Sequence, residues 1–153
     1  NNNFIVDLLH ILKKSGFTDE QILKTGEESY YSNKNTDLGR MLAKYKTPSE
    51  LMPGIFEEHI DYYDRNFSYQ IKKLNNDSCE LEVTQNNDVA ESLGKSKIGS
   101  SLLSLYKVGV MSSFPKYIGL PNAEVKLVQC AHQNAPACRY EMKFFKQPQP
   151  VFQ

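Results

Sequence analysis

A chain of 153 residues, 40% hydrophobic and 24% charged, with 18 basic against 18 acidic side chains, has the size of one ordinary domain and no net field to gather nucleic acid or anionic lipid. No apolar run approaches the roughly 20 residues of a membrane span, and the opening NNNFIVDLLH lacks the basic region and small-residue cleavage site of a secretory signal. Three cysteines are too few for a disulfide scaffold, which fits a reducing compartment, so a cytoplasmic location is expected.

Asn3 is placed to cap a first helix in which Phe4, Ile5, Leu8, Leu9, Ile11 and Leu12 form an apolar stripe, before Ser15 and Gly16 stop it. Asp7, Lys13 and Lys14 mark its polar side, and His10 at the edge of the stripe reads as structural. Thr18 and Gln21 have the form of a capping box, so a short second helix is expected to reach about Lys24 and end at Gly26. Glu27 to Thr36 is polar and turn-rich and reads as a loop. Asp37 to Tyr45 predicts a third helix with Leu38, Met41, Leu42 and Tyr45 on one side. Thr47, Pro48 and Glu50 combine a cap, a proline at the first helical position and a capping-box glutamate. The helix that follows carries Leu51, Ile55, Phe56, Ile60 and Tyr63 and must accommodate Pro53 and Gly54. Its regular part is expected from about Pro53 to Asn66.

Phe67 to Leu74 and Ser78 to Gln85 alternate as strands around a turn at Asn75, Asn76 and Asp77. Asn86 to Ser100 is polar, with one short helix expected around Asp88 to Leu93. From Ser101 to Met111 the residues Leu102, Leu103, Leu105, Tyr106, Val108, Val110 and Met111 form a helix apolar nearly all round, the signature of a buried one. After a turn over Phe114 to Pro121, the stretch Asn122 to Lys146 reads as a strand, a polar loop closed at each end by Cys130 and Cys138, and a second strand. Cys138, Tyr140, Met142 and Phe144 alternate strictly with Arg139, Glu141 and Lys143. Val125 and Leu127 alternate with Lys126, while Val128 and Cys130 make that strand apolar on both faces near its end. The residues from Gln147, QPQPVFQ, read as the start of a linker to an output domain. The fold class is therefore α+β: N-terminal helices packed on an antiparallel sheet built from two hairpins, with a long buried helix between the hairpins, as a single domain over 1–146.

Cys130 and Cys138 flank a hairpin end where two thiolates could hold zinc, with His132 as a third ligand and Cys79 as a fourth. Two buried thiols, or a reversible disulfide, explain the same pair. Glu57, Glu58, His59, Asp61 and Asp64 gather four carboxylates around an imidazole, but their spacing matches no metal or acid–base motif and reads as a solvated helix face. The glycines Gly94, Gly99, Gly109 and Gly119 form no phosphate-binding sequence, and no Gly-x-Ser-x-Gly elbow is present. No serine or cysteine has a base to activate it, so an enzyme is not expected. Lys72, Lys73, Lys95 and Lys97 lack an aromatic platform between them, which argues against nucleic acid. The nine tyrosines and eight phenylalanines stand out. Core packing explains them by default, and several convergent hydroxyls in an apolar interior also suit a small-molecule pocket.

Helices first, an antiparallel hairpin, a long apolar helix, then a strand, Cys130, seven residues, Cys138-Arg139-Tyr140-Glu141 and a strand: over Met41 to Phe145 this resembles the 4-vinyl reductase domain family. That family shares its fold with the TRAPP vesicle-tethering subunits and the haem nitric-oxide-binding domains. The resemblance implies a bacterial sensory input domain placed ahead of an output module, as in activators that recognise aromatic effectors. In those activators two hairpin cysteines help bind zinc, which by the match falls on Cys130 and Cys138. Their further cysteine and glutamate ligands are not matched, since the helix from Ser96 to Met111 has no cysteine and Leu127 stands three residues before Cys130. The Tyr-x-Ser-x-Arg sequence of the haem nitric-oxide sensors is absent too, so neither haem nor another cofactor is expected.

The expected function is small-molecule sensing: an apolar or aromatic ligand held between the helix from Pro53 to Asn66, the helix from Ser101 to Met111 and the C-terminal hairpin. The candidate ligand-binding residues are Phe56, His59, Tyr63, Leu102, Tyr106, Tyr117 and Tyr140. A homodimer and a C-terminal output domain are the expected partners. The alternative is a ligand-free dimerisation or protein-interaction module similar to the TRAPP subunits.

Overall fold

The computed structural model describes residues 2–60, 67–85, 101–129 and 137–146. Helix α1 spans Asn2–Lys14, so it starts one residue ahead of the Asn3 cap expected for it. It stops as anticipated: Ser15 N–H donates to the Ile11 carbonyl at 3.0 Å, and Gly16 adopts φ 102°, a left-handed value open to glycine. Helix α2, Asp19–Glu27, has the predicted capping box, in which Thr18 Oγ1 accepts from Gln21 N–H at 3.1 Å and Gln21 Oε1 accepts from Thr18 N–H at 2.8 Å.

Gly26 lies inside α2 and does not end it. The loop expected over Glu27 to Thr36 contains a further short helix, α3, Ser29–Asn33, whose Tyr30 ring meets Tyr117 edge-on at 5.0 Å. That tertiary contact gives the polar segment an anchor its own sequence does not announce. Helix α4 is shorter than predicted, Asp37–Leu42 capped by Thr36, which leaves Tyr45 beyond it. Helix α5, Pro48–Pro53, starts at the expected cap, with Thr47 Oγ1 accepting from Glu50 N–H at 3.3 Å, but Glu50 Oε2 accepts from Lys46 N–H at 3.0 Å and not from Thr47 N–H, so the expected capping box is left open.

The regular helix expected from Pro53 to Asn66 is not formed over its first part. Gly54–Glu58 is a π-helical turn, closed by His59 N–H donating to the Gly54 carbonyl at 2.9 Å. At the start of this turn a Cβ on Gly54 would strike the Tyr45 ring, so glycine lets that ring lie against the backbone there. Residues 61–66, with Tyr63, lie outside the described residues, as does the short helix expected around Asp88 to Leu93.

Strands β1 (Phe67–Leu74) and β2 (Ser78–Gln85) match the predicted bounds. Asn75 Oδ1 holds their turn by accepting from Asp77 N–H at 2.7 Å and Ser78 N–H at 2.9 Å. Helix α6 spans Ser101–Ser113 and runs on into a 3₁₀ turn, Phe114–Ile118, that ends at Gly119 with φ 79°. Strands β3 (Glu124–Gln129) and β4 (Cys138–Lys143) complete one antiparallel sheet in the order β1-β2-β4-β3. The C-terminal hairpin therefore docks through β4: Leu81 stands opposite Tyr140 on one side, and Leu127 stands opposite it on the other.

One sheet face carries Cys79, Leu81, Val83, Tyr140, Met142 and Phe144, all buried in the main core with Leu51, Ile55, Phe56, Met111 and Phe114. On β3 the pairing slips between Leu127 and Gln129, and Val128 points to solvent at 48% exposure, while Cys130 lies outside the described residues. A smaller cluster of Leu9, Ile22 and Leu102 joins α1, α2 and α6. Helix α6 is thus enclosed on most sides, as its composition predicts. The stripe on α1 is used narrowly: Leu9 is buried, while Leu8 and Ile11 are 41% and 59% exposed.

Helices α2 and α6 cross at glycine. A Cβ on Gly26 would clash with the Tyr106 carbonyl and stand 2.9 Å from Val110 N, and one on Gly109 would clash with the Leu23 carbonyl and stand 3.0 Å from Gly26 Cα. The two backbones touch because neither residue has a side chain.

Candidate functional site

Between the helical layer and the sheet lies a run of aromatic rings. Phe56, on the π turn, stacks on Tyr69 of β1 with centroids 5.0 Å apart and planes 30° apart, and meets Phe114 edge-on at 5.8 Å. The alternation of β1 turns Tyr69 toward the helices, and the widened turn after Pro53 presents Phe56 to it.

The predicted ligand-binding residues are brought together only in part. Phe56, Tyr117 and Tyr140 share the main core, and Tyr106 borders it. Leu102 belongs instead to the cluster with Leu9 and Ile22, against which Tyr106 also packs, so Tyr106 is the link between the two. A stretch of 13 helical residues turns Leu102 and Val110 to different neighbours, although both are apolar in sequence. Burial pushes the Tyr106 hydroxyl up from its ordinary range, and burial followed by the nearby Tyr30 pushes Tyr117 up to about 12. Both phenols therefore stay neutral donors near neutral pH.

His59 sits at the edge of this layer. The Tyr45 hydroxyl donates to Glu58 Oε2 at 2.7 Å and lies 3.3 Å from His59 Nε2. Burial first, then the Glu58 carboxylate, pushes the Tyr45 hydroxyl up to about 12. The predicted solvated run of carboxylates thus contributes one member, Glu58, to a defined contact.

Sequence reasoning passed over Lys107. This lysine interrupts the apolar helix α6 and is buried, at 6% exposure. Its Nζ donates to Tyr69 Oη at 2.6 Å and lies 4.0 Å from the centroid of the Phe67 ring. A single charge in a helix otherwise apolar all round is a signal that the sequence does carry.

The metal assignment is corrected at Cys79. On β2, Cys79 stands opposite Met142 while Cys138 stands opposite Val83. Four residues of strand separate those positions, about 13 Å, whereas two ligands of one zinc each lie about 2.3 Å from it. Cys79 is a free, buried core thiol that burial and then Glu80 push up to about 12. Cys130 and His132 lie outside the described residues, among which no group of three or more metal-binding side chains occurs.

No family model and no curated protein matches the chain. Solved structures do. The Fe(II) unliganded H-NOX protein from K. algicida superposes with a TM-score of 0.61 at 19% identity, over 97% of this chain and 75% of that one. A trafficking protein particle complex subunit 3 from Naegleria fowleri, covalently bound to palmitic acid, gives 0.62 at 9% identity over 98% of each chain. The phenol-responsive sensory domain of the transcription activator PoxR, with phenol, gives 0.60 at 10% identity over 94% of this chain and 74% of that one. This chain has the fold they share.

The fold expectation holds, and the expectation of no cofactor is overturned. H-NOX proteins, including one examined for the function of heme distortion, have this architecture. The absence of one five-residue sequence does not decide against haem, because a haem site is set by a tertiary cavity and an axial ligand. The described residues do not form a ready cradle in this arrangement: Phe56, Tyr69 and Phe114 fill the layer between helices and sheet, and His59 is engaged by Tyr45.

Proposed function

We propose that this chain is a small-molecule sensory domain of the 4-vinyl reductase type. It takes an apolar or aromatic ligand between the π turn with α6 and the C-terminal hairpin. The observation that carries the reading is the ring layer of Phe56, Tyr69 and Phe114 at the junction of helices and sheet, in a fold shared with a phenol-responsive sensory domain. Phe56, Tyr106, Tyr117 and Tyr140 line the ligand, Leu102 packs α6 against Leu9 and Ile22, and His59 closes the edge. The ligand replaces ring–ring contacts and so favours a second packing of the layer. Its differential affinity for the two packings biases the segment leading to an output domain. The domain works as a homodimer.

Thermal-shift screening of hydrophobic metabolites, with native mass spectrometry of the hits, tests this. A stoichiometric ligand whose effect is lost in Phe56→Ala supports it. A melting temperature indifferent to every compound refutes it.

A second reading, an interaction module similar to the tethering subunits, is favoured by the exposed Leu8, Ile11 and Phe17. Under that reading, sedimentation shows a concentration-dependent dimer that Leu8→Asp with Ile11→Asp abolishes, and no compound changes its stability.

A further inference from the structure

The 3₁₀ turn Phe114–Ile118, the backbone that follows it and the chain leaving β4 border an open cleft of about 440 Å³. Lys116, Gly119, Leu120, Pro121, Asn122 and Lys146 line it. Backbone hydrogen bonds fix its frame: Gly119 N–H donates to the Lys116 carbonyl at 3.1 Å, Leu120 N–H to the Pro115 carbonyl at 3.0 Å, and Ala123 N–H to the Ser112 carbonyl at 2.8 Å. Lys146 arrives from the far end of the chain because β3 and β4 are antiparallel. Glu124 stands opposite Lys143, and the same register carried on sets Lys146 beside Pro121.

Two lysines and no acid line this cleft, in a chain whose 18 basic and 18 acidic side chains balance. Neither ammonium has an ion-pair partner among the described residues. Lys116 Nζ donates to Tyr31 Oη at 3.1 Å and lies 4.8 Å from that ring's centroid, contacts that leave its charge in place and two of its three N–H groups to give. Lys146 is exposed. Lys34 stands 5.7 Å from the same Tyr31 ring and adds a third cation on this side.

Asn122 sets the cleft apart. Its Oδ1 is the one buried side-chain nitrogen or oxygen among the described residues that lacks a hydrogen-bond partner, where such atoms are normally paired. No other hydrogen bond among the described residues holds the amide, and the terminal torsion of asparagine is soft, so the group can turn that acceptor to the cleft. Two ammoniums without a counter-charge suit a phosphomonoester, which carries nearly two negative charges near neutral pH. An unmet acceptor beside them suits a hydroxyl of the same molecule, and Leu120 and Pro121 give its carbon chain an apolar wall. The volume is that of a small-ligand site and exceeds what a bare phosphate would fill.

We propose that this cleft binds the phosphomonoester of a small polyol, with Lys116 and Lys146 on the phosphate oxygens and a ligand hydroxyl donating to Asn122 Oδ1. Binding is non-covalent. The site shares no residue with the aromatic layer and does not depend on the sensory reading.

Calorimetry at pH 7.5 and low salt with glycerol 3-phosphate and glucose 6-phosphate, against ethyl phosphate and inorganic phosphate, tests the proposal on the whole chain. At least one polyol phosphate is expected to bind about threefold or more tightly than ethyl phosphate, which lacks the hydroxyl. Lys146→Gln, at an exposed position, is expected to weaken that binding about fivefold or more, and Lys146→Arg to retain it. Asn122→Leu is expected to bring the polyol phosphates level with ethyl phosphate. Flotation with phosphatidylcholine vesicles containing phosphatidylinositol 4-phosphate assigns the same chemistry to a lipid headgroup, and its failure assigns it to a soluble ester. No binding of either polyol phosphate at about 10 mM, an affinity below that of any specific site, overturns the proposal. Ethyl or inorganic phosphate binding as tightly in the wild type does the same, as does polyol-phosphate binding unchanged in Lys146→Gln. A preference kept in folded Asn122→Leu overturns the hydroxyl contact. The wild-type comparison and Lys146→Gln decide the matter even where Asn122→Leu does not fold.

Discussion

Replacing Gly109 by alanine sets two effects of opposite sign against each other. In the interior of a helix, alanine is favoured over glycine by about 1 kcal/mol. Position 109 lies inside the 13 residues of α6, so propensity alone predicts a more stable protein. The crossing predicts the reverse. The added Cβ would clash with the Leu23 carbonyl and stand 2.9 Å from Glu27 N and 3.0 Å from Gly26 Cα, all of them backbone atoms of α2 that no rotamer change can move. Carbon atoms pack best at about 3.5–4.0 Å, and a radial gap of about 0.5–1 Å already forfeits a quarter to a half of each contact. Separating α2 from α6 by roughly that amount also loosens Ile22 and Leu102, both buried where the helices meet. Overpacking costs about 1–3 kcal/mol and occasionally more, and clashes with rigid backbone fall at the upper end. After the propensity gain, the expected net loss is about 2 kcal/mol, or roughly 4–8 °C in melting temperature for a chain of this length. Urea and thermal unfolding followed by circular dichroism measure it. Gly26→Ala opposes the same surface, so the double variant should lose less than the sum of the single losses. A melting temperature raised by Gly109→Ala would refute the close crossing.

Three further outcomes follow from the core and its ends. Phe56→Ala removes the ring between Tyr69 and Phe114 and is expected to destabilise the fold by about 3–5 kcal/mol, read as a lower urea midpoint; a loss below about 1 kcal/mol would mean the layer does not pack as described. Thr47→Ala deletes the cap of α5 and should remove about 1 kcal/mol, whereas Thr47→Ser should restore most of it. Tyr117 is raised from 10.0 to about 12 in the folded state. The folded protein therefore keeps the proton after the unfolded chain has released it. Stability is complete below pH 10 and falls as pH rises from about 10 to 12. Urea midpoints at pH 9 and pH 11 should fall less in Tyr117→Phe than in the wild type, and parallel falls would sink the assignment.

The residues that announced their structure did so through short-range periods. Thr18 with Gln21 closes its capping box and Thr47 caps α5 as read, because a cap is made within one turn. Both ends of β1 and β2 were legible, since alternation and the Asn75 turn are local. The site was legible only in fragments. Phe56, Tyr106, Tyr117 and Tyr140 are visible as aromatic positions on inward-facing elements, while nothing local sets Tyr69 and Tyr45 apart from ordinary strand and helix residues. Lys107 was hidden by averaging, its charge submerged in the apolar residues around it. The haem expectation failed on the same ground, because a missing short motif says little about a cavity built from distant segments.

What the sequence determined by itself was an α+β domain with a buried helix between two hairpins, because periods of two and of 3.6 residues are written into neighbouring side chains. Tertiary structure alone decided the order β1-β2-β4-β3, the meeting of Gly26 with Gly109, the Tyr45 ring against Gly54 of the π turn and the seating of Lys107 over Phe67. Each joins residues far apart in the chain. No local pattern specifies such a pair, and only the packing of whole elements against one another selects it.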